Sequence, residues 1–142
     1  MPSTAAFLTP VLALIVWTLV MWVWMYATRL PGMSQAGIAP QQAAHPGSWE
    51  SRMPEQARGV AENYNHLHEQ PTIFYALMFF AALTAGGDAT SLALAWTYVA
   101  SRVVHSLIQA TVNVVMLRFT VFTIGTLTLM VFAARQAMRV LG

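Results

Sequence analysis

Residues 5–27 form a run without formal charge, AAFLTPVLALIVWTLVMWVWMYA. Residues 71–87 and 119–134 also lack charged side chains, and residues 89–117 contain only one, Arg102. An α-helix of about 20 residues crosses the roughly 30 Å apolar core of a bilayer, because each residue adds about 1.5 Å. The sequence therefore predicts an all-α fold, an integral membrane four-helix bundle.

The composition supports this fold class. Of the 142 residues, 57% are hydrophobic and 8% are charged, whereas a soluble domain carries about 25% charged residues. The formal charge of +2 comes from arginine without lysine, no basic block is present, and the chain has no cysteine. We therefore exclude a soluble enzyme, a nucleic-acid-binding module and a disulfide-stabilised secreted domain, and we expect no nucleic acid among the partners.

The chain is predicted to form a single domain, residues 1–142. Its predicted helices span about 5–28, 56–84, 90–116 and 118–138, and a proline-rich loop spans 30–55. Pro71 predicts a kink in the second helix. The first apolar run is longer than the apolar core of a signal peptide, and we interpret it as a retained membrane helix.

Arginine placement predicts the orientation in the membrane. Four arginines lie in or beside the first and third loops, whereas two follow the last helix. By the positive-inside rule, the first loop is cytoplasmic and both termini of this multi-pass protein lie on the non-cytoplasmic side.

Two of the predicted helices carry a polar stripe along one face. The stripe comprises Arg58, Glu62, Asn65 and Glu69 in the second helix, and Arg102, His105, Gln109 and Asn113 in the third. Steps of three or four residues return to the same face of a helix. An arginine in the middle of a membrane span costs about 2.5–3.5 kcal/mol, so Arg102 has to face protein or water. We expect the stripes to face each other around a wet, anion-binding chamber, with Glu62 and Glu69 available to Arg102.

Two interpretations of the stripes remain open: a ligand or reaction site, and a buried network that only joins helices. Interhelical polar contacts contribute about 0.6 kcal/mol each on average, so the stripes exceed what adhesion requires. Ionisable residues inside a membrane are functional by default, which favours the site. Glu62, His66 and Glu69 have a spacing that zinc or iron could use, but nearby arginines would repel a cation. We therefore predict no metal site.

Three segments follow one another in a recognisable order: ENYNHLHEQPTIF at 62–74, RVVH at 102–105 and RF at 118–119. Together they resemble the MAPEG family, the membrane-associated proteins in eicosanoid and glutathione metabolism. That family includes microsomal glutathione transferases and synthases of leukotrienes and prostaglandins. The resemblance implies a homotrimer that holds glutathione between neighbouring subunits near the cytoplasmic side. It also implies a lipophilic small molecule or membrane lipid that enters from the bilayer.

The resemblance further implies roles for single residues. Arg118 takes the place of the arginine credited with activating the thiol of glutathione. Asn65 matches an asparagine of the second helix, and Arg102 with His105 matches an Arg-x-x-His motif of the third. The other residues predicted to bind glutathione complete the stripes: Arg58, Glu62, Glu69, Gln109 and Asn113.

A guanidinium group favours a thiolate over a thiol, whose ordinary pKa is about 8.5. Because the chain has no cysteine, the sulfur must come from glutathione. On sequence alone, Arg118 has an equal alternative as a helix-end residue that extends its charge to the membrane interface.

The chain departs from the family pattern at three positions. Ala61 and His68 stand where the family has arginine and glutamate, and Gln109 stands where a tyrosine is common. The first functional hypothesis is a glutathione-dependent transferase or peroxidase-like protein acting on lipophilic electrophiles. The second is a non-catalytic membrane protein that binds a lipid or small ligand at subunit interfaces. A carrier or proton relay built on the glutamates and histidines is a third, weaker one.

Overall fold

The structure, a computed structural model, describes residues 2–142. Its helices are α1 Thr4–Gln35, α2 Glu55–His66, α3 Gln70–Leu83, α4 Ala89–Ala110 and α5 Val115–Leu141, with 3₁₀ turns at Pro40–Ala43 and Glu50–Arg52. The described chain contains no strand. Because α2 and α3 follow each other as two halves of one bundle helix, the fold is a four-helix bundle.

Much of the outer surface of α1 and α5 is apolar. Helices α1 and α5 are each long and apolar enough to cross a membrane. Their exposed side chains include Leu19, Val23, Leu127 and Met130. Water would penalise this much exposed apolar surface, whereas acyl chains accommodate it. The predicted all-α membrane bundle is confirmed.

Helix α1 continues to Gln35, beyond the predicted end at residue 28, and Pro31 lies inside it. The extension is explained by packing against the start of α2. A Cβ at Gly32 would lie 3.0 Å from Cε of Met53 and 3.2 Å from Cδ of Pro54, so glycine allows the close approach of these residues. The sequence prediction stopped at the prolines because it could not include this tertiary contact.

The second bundle helix is broken rather than kinked, which corrects the prediction of one continuous helix over residues 56–84. Helix α2 ends at His66, and α3 begins at Gln70 with Pro71 in its first turn, where a missing N–H removes no hydrogen bond. Glu69 lies between them at φ −92° and ψ −100°, outside the helical region. The side chain of Gln70 donates to Oγ1 of Thr126 (2.9 Å) and accepts from the hydroxyl of Tyr98 (3.3 Å). These contacts fix the start of α3 against α4 and α5.

The first loop is ordered by its own small core. Ile38, Trp49, Met53 and Ala57 are buried together. The guanidinium of Arg29 lies over the Trp49 ring, 5.1 Å from its centroid. Such a cation–π contact holds the loop against the end of α1.

At the end of the bundle opposite the first loop, Asp88 joins α4 to α5. Its carboxylate caps α4 by accepting from the Ser91 amide (2.7 Å), and it also accepts from Arg135 (3.0 Å) and Arg139 (3.1 Å) of α5. The Ser91 hydrogen bonds, aided by the two guanidinium groups, hold the pKa of Asp88 below its ordinary value. Phe7 of α1 packs on Gly87 of the same turn. Both ends of the chain therefore lie at the α3–α4 turn, away from the first loop.

Candidate functional site

A cleft of about 370 Å³ lies where α2, α4 and α5 meet, and we call it the polar cleft. Its lining residues are Glu62, Asn65, His66, Glu69, His105, Gln109 and Arg118. The α2 side chains supply carboxylate, amide and imidazole groups, and α4 supplies an imidazole and an amide. The structure thus brings together parts of both predicted stripes with the predicted catalytic arginine.

Arg118 is positioned by the turn between α4 and α5. Asn113 adopts φ +47°, a left-handed conformation that asparagine tolerates better than most residues. Its Oδ1 accepts from Nη1 of Arg118 at 2.8 Å. Asn113 itself lines a neighbouring cleft, so within the described chain it positions Arg118 rather than lining the polar cleft.

The His105 imidazole has both ring nitrogens engaged. Nδ1 lies 3.1 Å from the Arg118 carbonyl, which can only accept, so Nδ1 carries the proton. Nε2 lies 3.1 Å from Oε1 of Gln109; with Nδ1 protonated, the neutral ring accepts at Nε2 when the Gln109 amide is turned to present its NH₂ group. His105 therefore links α4 to α5, and its ring is fixed at the edge of the polar cleft.

His66 and Glu69 form an ion pair or charge-assisted hydrogen bond across the helix break. Nδ1 of His66 is 2.6 Å from Oε2 of Glu69. The imidazole is about a quarter exposed and the carboxylate about two thirds exposed. The His66 ring also packs 5.3 Å from that of His105 and 5.2 Å from that of Phe122.

Arg102 does not pair with Glu62 or Glu69, and that prediction is wrong. Its side chain is 1% exposed, and its guanidinium lies 5.4 Å from the Phe122 ring centroid. None of its three side-chain nitrogens has a hydrogen-bond partner among residues 2–142. Because the helix breaks before α3, the Glu69 carboxylate contacts His66 instead of Arg102. Glu62 and Arg102 do not share a chamber, because Arg102 is buried behind the polar cleft and does not line it.

A second, adjoining cleft of about 510 Å³ lies between the first loop and α2, and we call it the loop-one cleft. Arg58 lines this cleft and not the polar cleft, together with Arg29, Trp49 and Glu50. Glu62 and Asn65 line both clefts. Sequence reasoning missed Arg29, although an arginine directly after an aromatic-rich helix end was a usable signal. It also left His66 out of the predicted binding residues, although its spacing to Glu62 and Glu69 is helical.

These features belong to a known family. A model of the MAPEG family matches residues 7–138, nearly the whole chain. The chain belongs to the MAPEG family. The resemblance predicted from the segments at 62–74, 102–105 and 118–119 is thereby confirmed. Neither a curated protein nor a solved structure matches the chain closely enough to count as a relative. MAPEG proteins are helical membrane proteins that generally use glutathione as substrate or cofactor.

Proposed function

We propose that this MAPEG protein is a membrane-embedded, glutathione-dependent transferase or peroxidase-like protein acting on lipophilic electrophiles. The observation that carries the proposal is the polar cleft, in which Arg118 faces the polar side chains of α2 and α4. Family membership supplies the expected thiol, and the chain has no cysteine of its own.

The groups around the polar cleft complement glutathione chemically. The tripeptide carries two carboxylates, one ammonium group and one thiol. The amides of Asn65 and Gln109 are donors for carboxylates, and Glu62 is an acceptor for the ammonium group, which leaves Arg118 for the thiol. We propose that the remaining stripe residues Arg58, Glu69, Arg102 and His105 support this binding, with Asn113 acting through Arg118.

Arg118 is suited to stabilise a thiolate. Its guanidinium takes part in no ion pair within residues 2–142, and Asn113 holds it through a neutral amide. Two opposite charges about 4 Å apart attract by about 4 kcal/mol at an effective dielectric constant near 20. A thiolate next to this guanidinium would therefore be strongly favoured over the thiol, and it would attack an electrophile as a nucleophile.

The exposed face of α2 supports assembly with further copies. Glu62, Asn65 and Glu69 are exposed in the single chain. Charged side chains do not face acyl chains at reasonable cost. We propose that a second copy covers this face and that the resulting assembly is a homotrimer, the number of subunits that the family resemblance implies.

We also propose a multi-pass topology with four spans. The structure supports an even number, because Phe7 of α1 and Arg139 of α5 both meet the α3–α4 turn. The first loop and the α4–α5 turn lie at the other end, where four arginines favour the cytoplasmic side. The polar cleft is then at the cytoplasmic end.

Glutathione binding to the purified protein in detergent tests the proposal. Calorimetry should detect binding at millimolar concentration, and the ultraviolet absorbance of the thiolate should appear on binding. Arg118→Ala should abolish that absorbance. S-methylglutathione has no ionisable thiol, so it is the matched control and should bind wild type and variant alike. Absence of glutathione binding to the wild type would contradict the proposal.

A non-catalytic role in binding a lipid or small ligand is the second candidate. It is favoured by an apolar groove of about 430 Å³ between α1 and α4, lined among others by Val16, Val20 and Val103. Saturable binding of a lipid analogue without thioether formation from glutathione and a long-chain unsaturated aldehyde would select this second function.

A further inference from the structure

We propose that His66 is the general base that removes the thiol proton in the polar cleft, and that Glu69 positions it. This inference rests on the proposed glutathione chemistry and adds to it the residue that accepts the proton. The geometry behind it is the 2.6 Å contact between Nδ1 of His66 and Oε2 of Glu69.

The partner atom decides which nitrogen of His66 is free. An ionised carboxylate only accepts hydrogen bonds, so Nδ1 of His66 donates and carries the proton. In the neutral ring, Nε2 then holds the lone pair. No hydrogen bond to Nε2 of His66 occurs among the described residues, and His66 lines the polar cleft. The free lone pair therefore belongs to a side chain that lines the proposed glutathione site.

The helix break holds this pair in place. Glu69 lies in the three-residue connection between α2 and α3, whose two ends are anchored. On one side, Leu67 continues the hydrogen bonding of α2 through the Asn63 carbonyl (3.0 Å). On the other side, Gln70 is bound to Tyr98 and Thr126. The backbone on both sides of Glu69 is therefore held in place, and the exposed carboxylate contacts the imidazole from this position.

The other ionisable groups around His66 are less suited to accept the proton. His105 of α4 already uses both nitrogens, and Arg118 of α5 is a cation. Glu62 of α2 lines the same cleft, but it is a weaker base than an imidazole by ordinary pKa values. Arg102 is buried behind Phe122, and Arg29 of α1 lines only the loop-one cleft. His66 is thus the imidazole in the polar cleft with an unused lone pair.

The reaction can be written with all atoms accounted for. The S–H bond of glutathione breaks, its electron pair stays on sulfur, and the proton forms a bond to Nε2 of His66. The thiolate next to Arg118 then bonds to the β-carbon of an α,β-unsaturated carbonyl compound, and the π electrons move to form an enolate. The imidazolium, stabilised by Glu69, returns the proton to the α-carbon. The product is a thioether, without any oxidant or leaving group.

Three variants of the full-length protein test this assignment: His66→Gln, Glu69→Gln and the control His68→Gln. His68 is two residues from His66, but its Nδ1 donates to the Tyr64 carbonyl (2.9 Å) and it does not line the polar cleft. Thioether formation from glutathione and a long-chain unsaturated aldehyde is measured against pH, and glutathione binding is measured separately by calorimetry. His66→Gln should react about 100-fold more slowly, because general bases contribute factors of that size.

The remaining expectations separate a base from a structural residue. His66→Gln should bind glutathione as the wild type does. Its rate of thioether formation should rise with pH in the same way as the rate of the uncatalysed reaction of free glutathione. Glu69→Gln should be slower by about tenfold with a shifted pH profile, because it removes only the positioning carboxylate. His68→Gln should match the wild type. Free imidazole should restore part of the rate to His66→Ala.

Two results overturn the assignment. The first is a His66→Gln variant that reacts at the wild-type rate with the wild-type pH profile. The second applies if His66→Gln does not fold, and it is a Glu69→Gln variant whose rate and pH profile are unchanged. Both results leave the proposed function intact, since the wild type still forms the thioether. A wild type that binds no glutathione contradicts the proposed function and the base together.

Discussion

Replacing Asp88 tests how the bundle is closed at the end opposite the polar cleft. Asp88→Ala removes the cap of α4 and both contacts to α5, with Arg135 and Arg139. Loss of an N-cap costs about 1 kcal/mol. Each partly exposed ion pair contributes about 0.2–1 kcal/mol. The free energy of unfolding should therefore fall by about 2 kcal/mol in this variant.

Asp88→Asn is the matched control, because asparagine caps helices as well as aspartate does but carries no charge. It should lose only the ion pairs, about 1 kcal/mol. Unfolding in mixed micelles of increasing denaturing-detergent content, followed by circular dichroism, measures both variants. Equal losses in Asp88→Ala and Asp88→Asn would show that the Ser91 hydrogen bond does not stabilise α4.

The same residue predicts a dependence on pH. The pKa of Asp88 is lowered by the Ser91 amide first and by the arginines after it. A lowered pKa in the folded state stabilises the protein fully above the unfolded value of about 3.9, and this contribution is lost as pH falls through the folded value. The wild type should lose its advantage over Asp88→Asn below about pH 4. An advantage that does not shrink as the pH falls below about 4 would refute the reasoning.

Three further substitutions have defined outcomes. Asn113→Gly keeps the left-handed turn but removes the acceptor for Arg118, so turnover with glutathione should fall about tenfold while the unfolding midpoint changes little. Gly125→Ala should destabilise the bundle by about 1–3 kcal/mol in the same unfolding assay, because a Cβ there would overlap the Ser101 hydroxyl. The double variant with Ser101→Ala should recover part of this loss. Arg102→Met should raise the unfolding free energy of the ligand-free protein by about 1 kcal/mol or more, because it removes a buried charge without a partner. The same variant should bind glutathione more weakly in calorimetry.

The sequence predicted those features that depend on local patterns. The apolar runs are as long as a bilayer is thick, so the bundle follows from length and composition. The helical spacing placed Glu62 and Asn65 on one face and His105 and Gln109 on another, and the structure brings these faces together. Such periodicity survives in the fold because each helix is regular where these residues lie.

The features that the sequence did not predict depend on contacts between distant residues. The break at residues 67–69 is held by Gln70 through Tyr98 and Thr126, which follow it by 28 and 56 positions. A helical wheel assumes a continuous helix, and it therefore assigned Glu69 to Arg102 instead of His66. The extension of α1 past Pro31 likewise depends on Met53 and Pro54 packing against Gly32.

The buried guanidinium of Arg102 connects the proposed ligand binding with the stability of the bundle. A buried ion without a partner costs several kcal/mol, and a cation–π contact such as that with Phe122 returns at most about 2 kcal/mol. Phe122 also contacts His66 and His105 at the edge of the polar cleft, so the positive charge of Arg102 lies close behind that cleft. An anionic tripeptide in the cleft would offset this charge, whereas a neutral ligand would not. Under the proposed function, glutathione at 100 times its Kd should stabilise the bundle by about 2.7 kcal/mol.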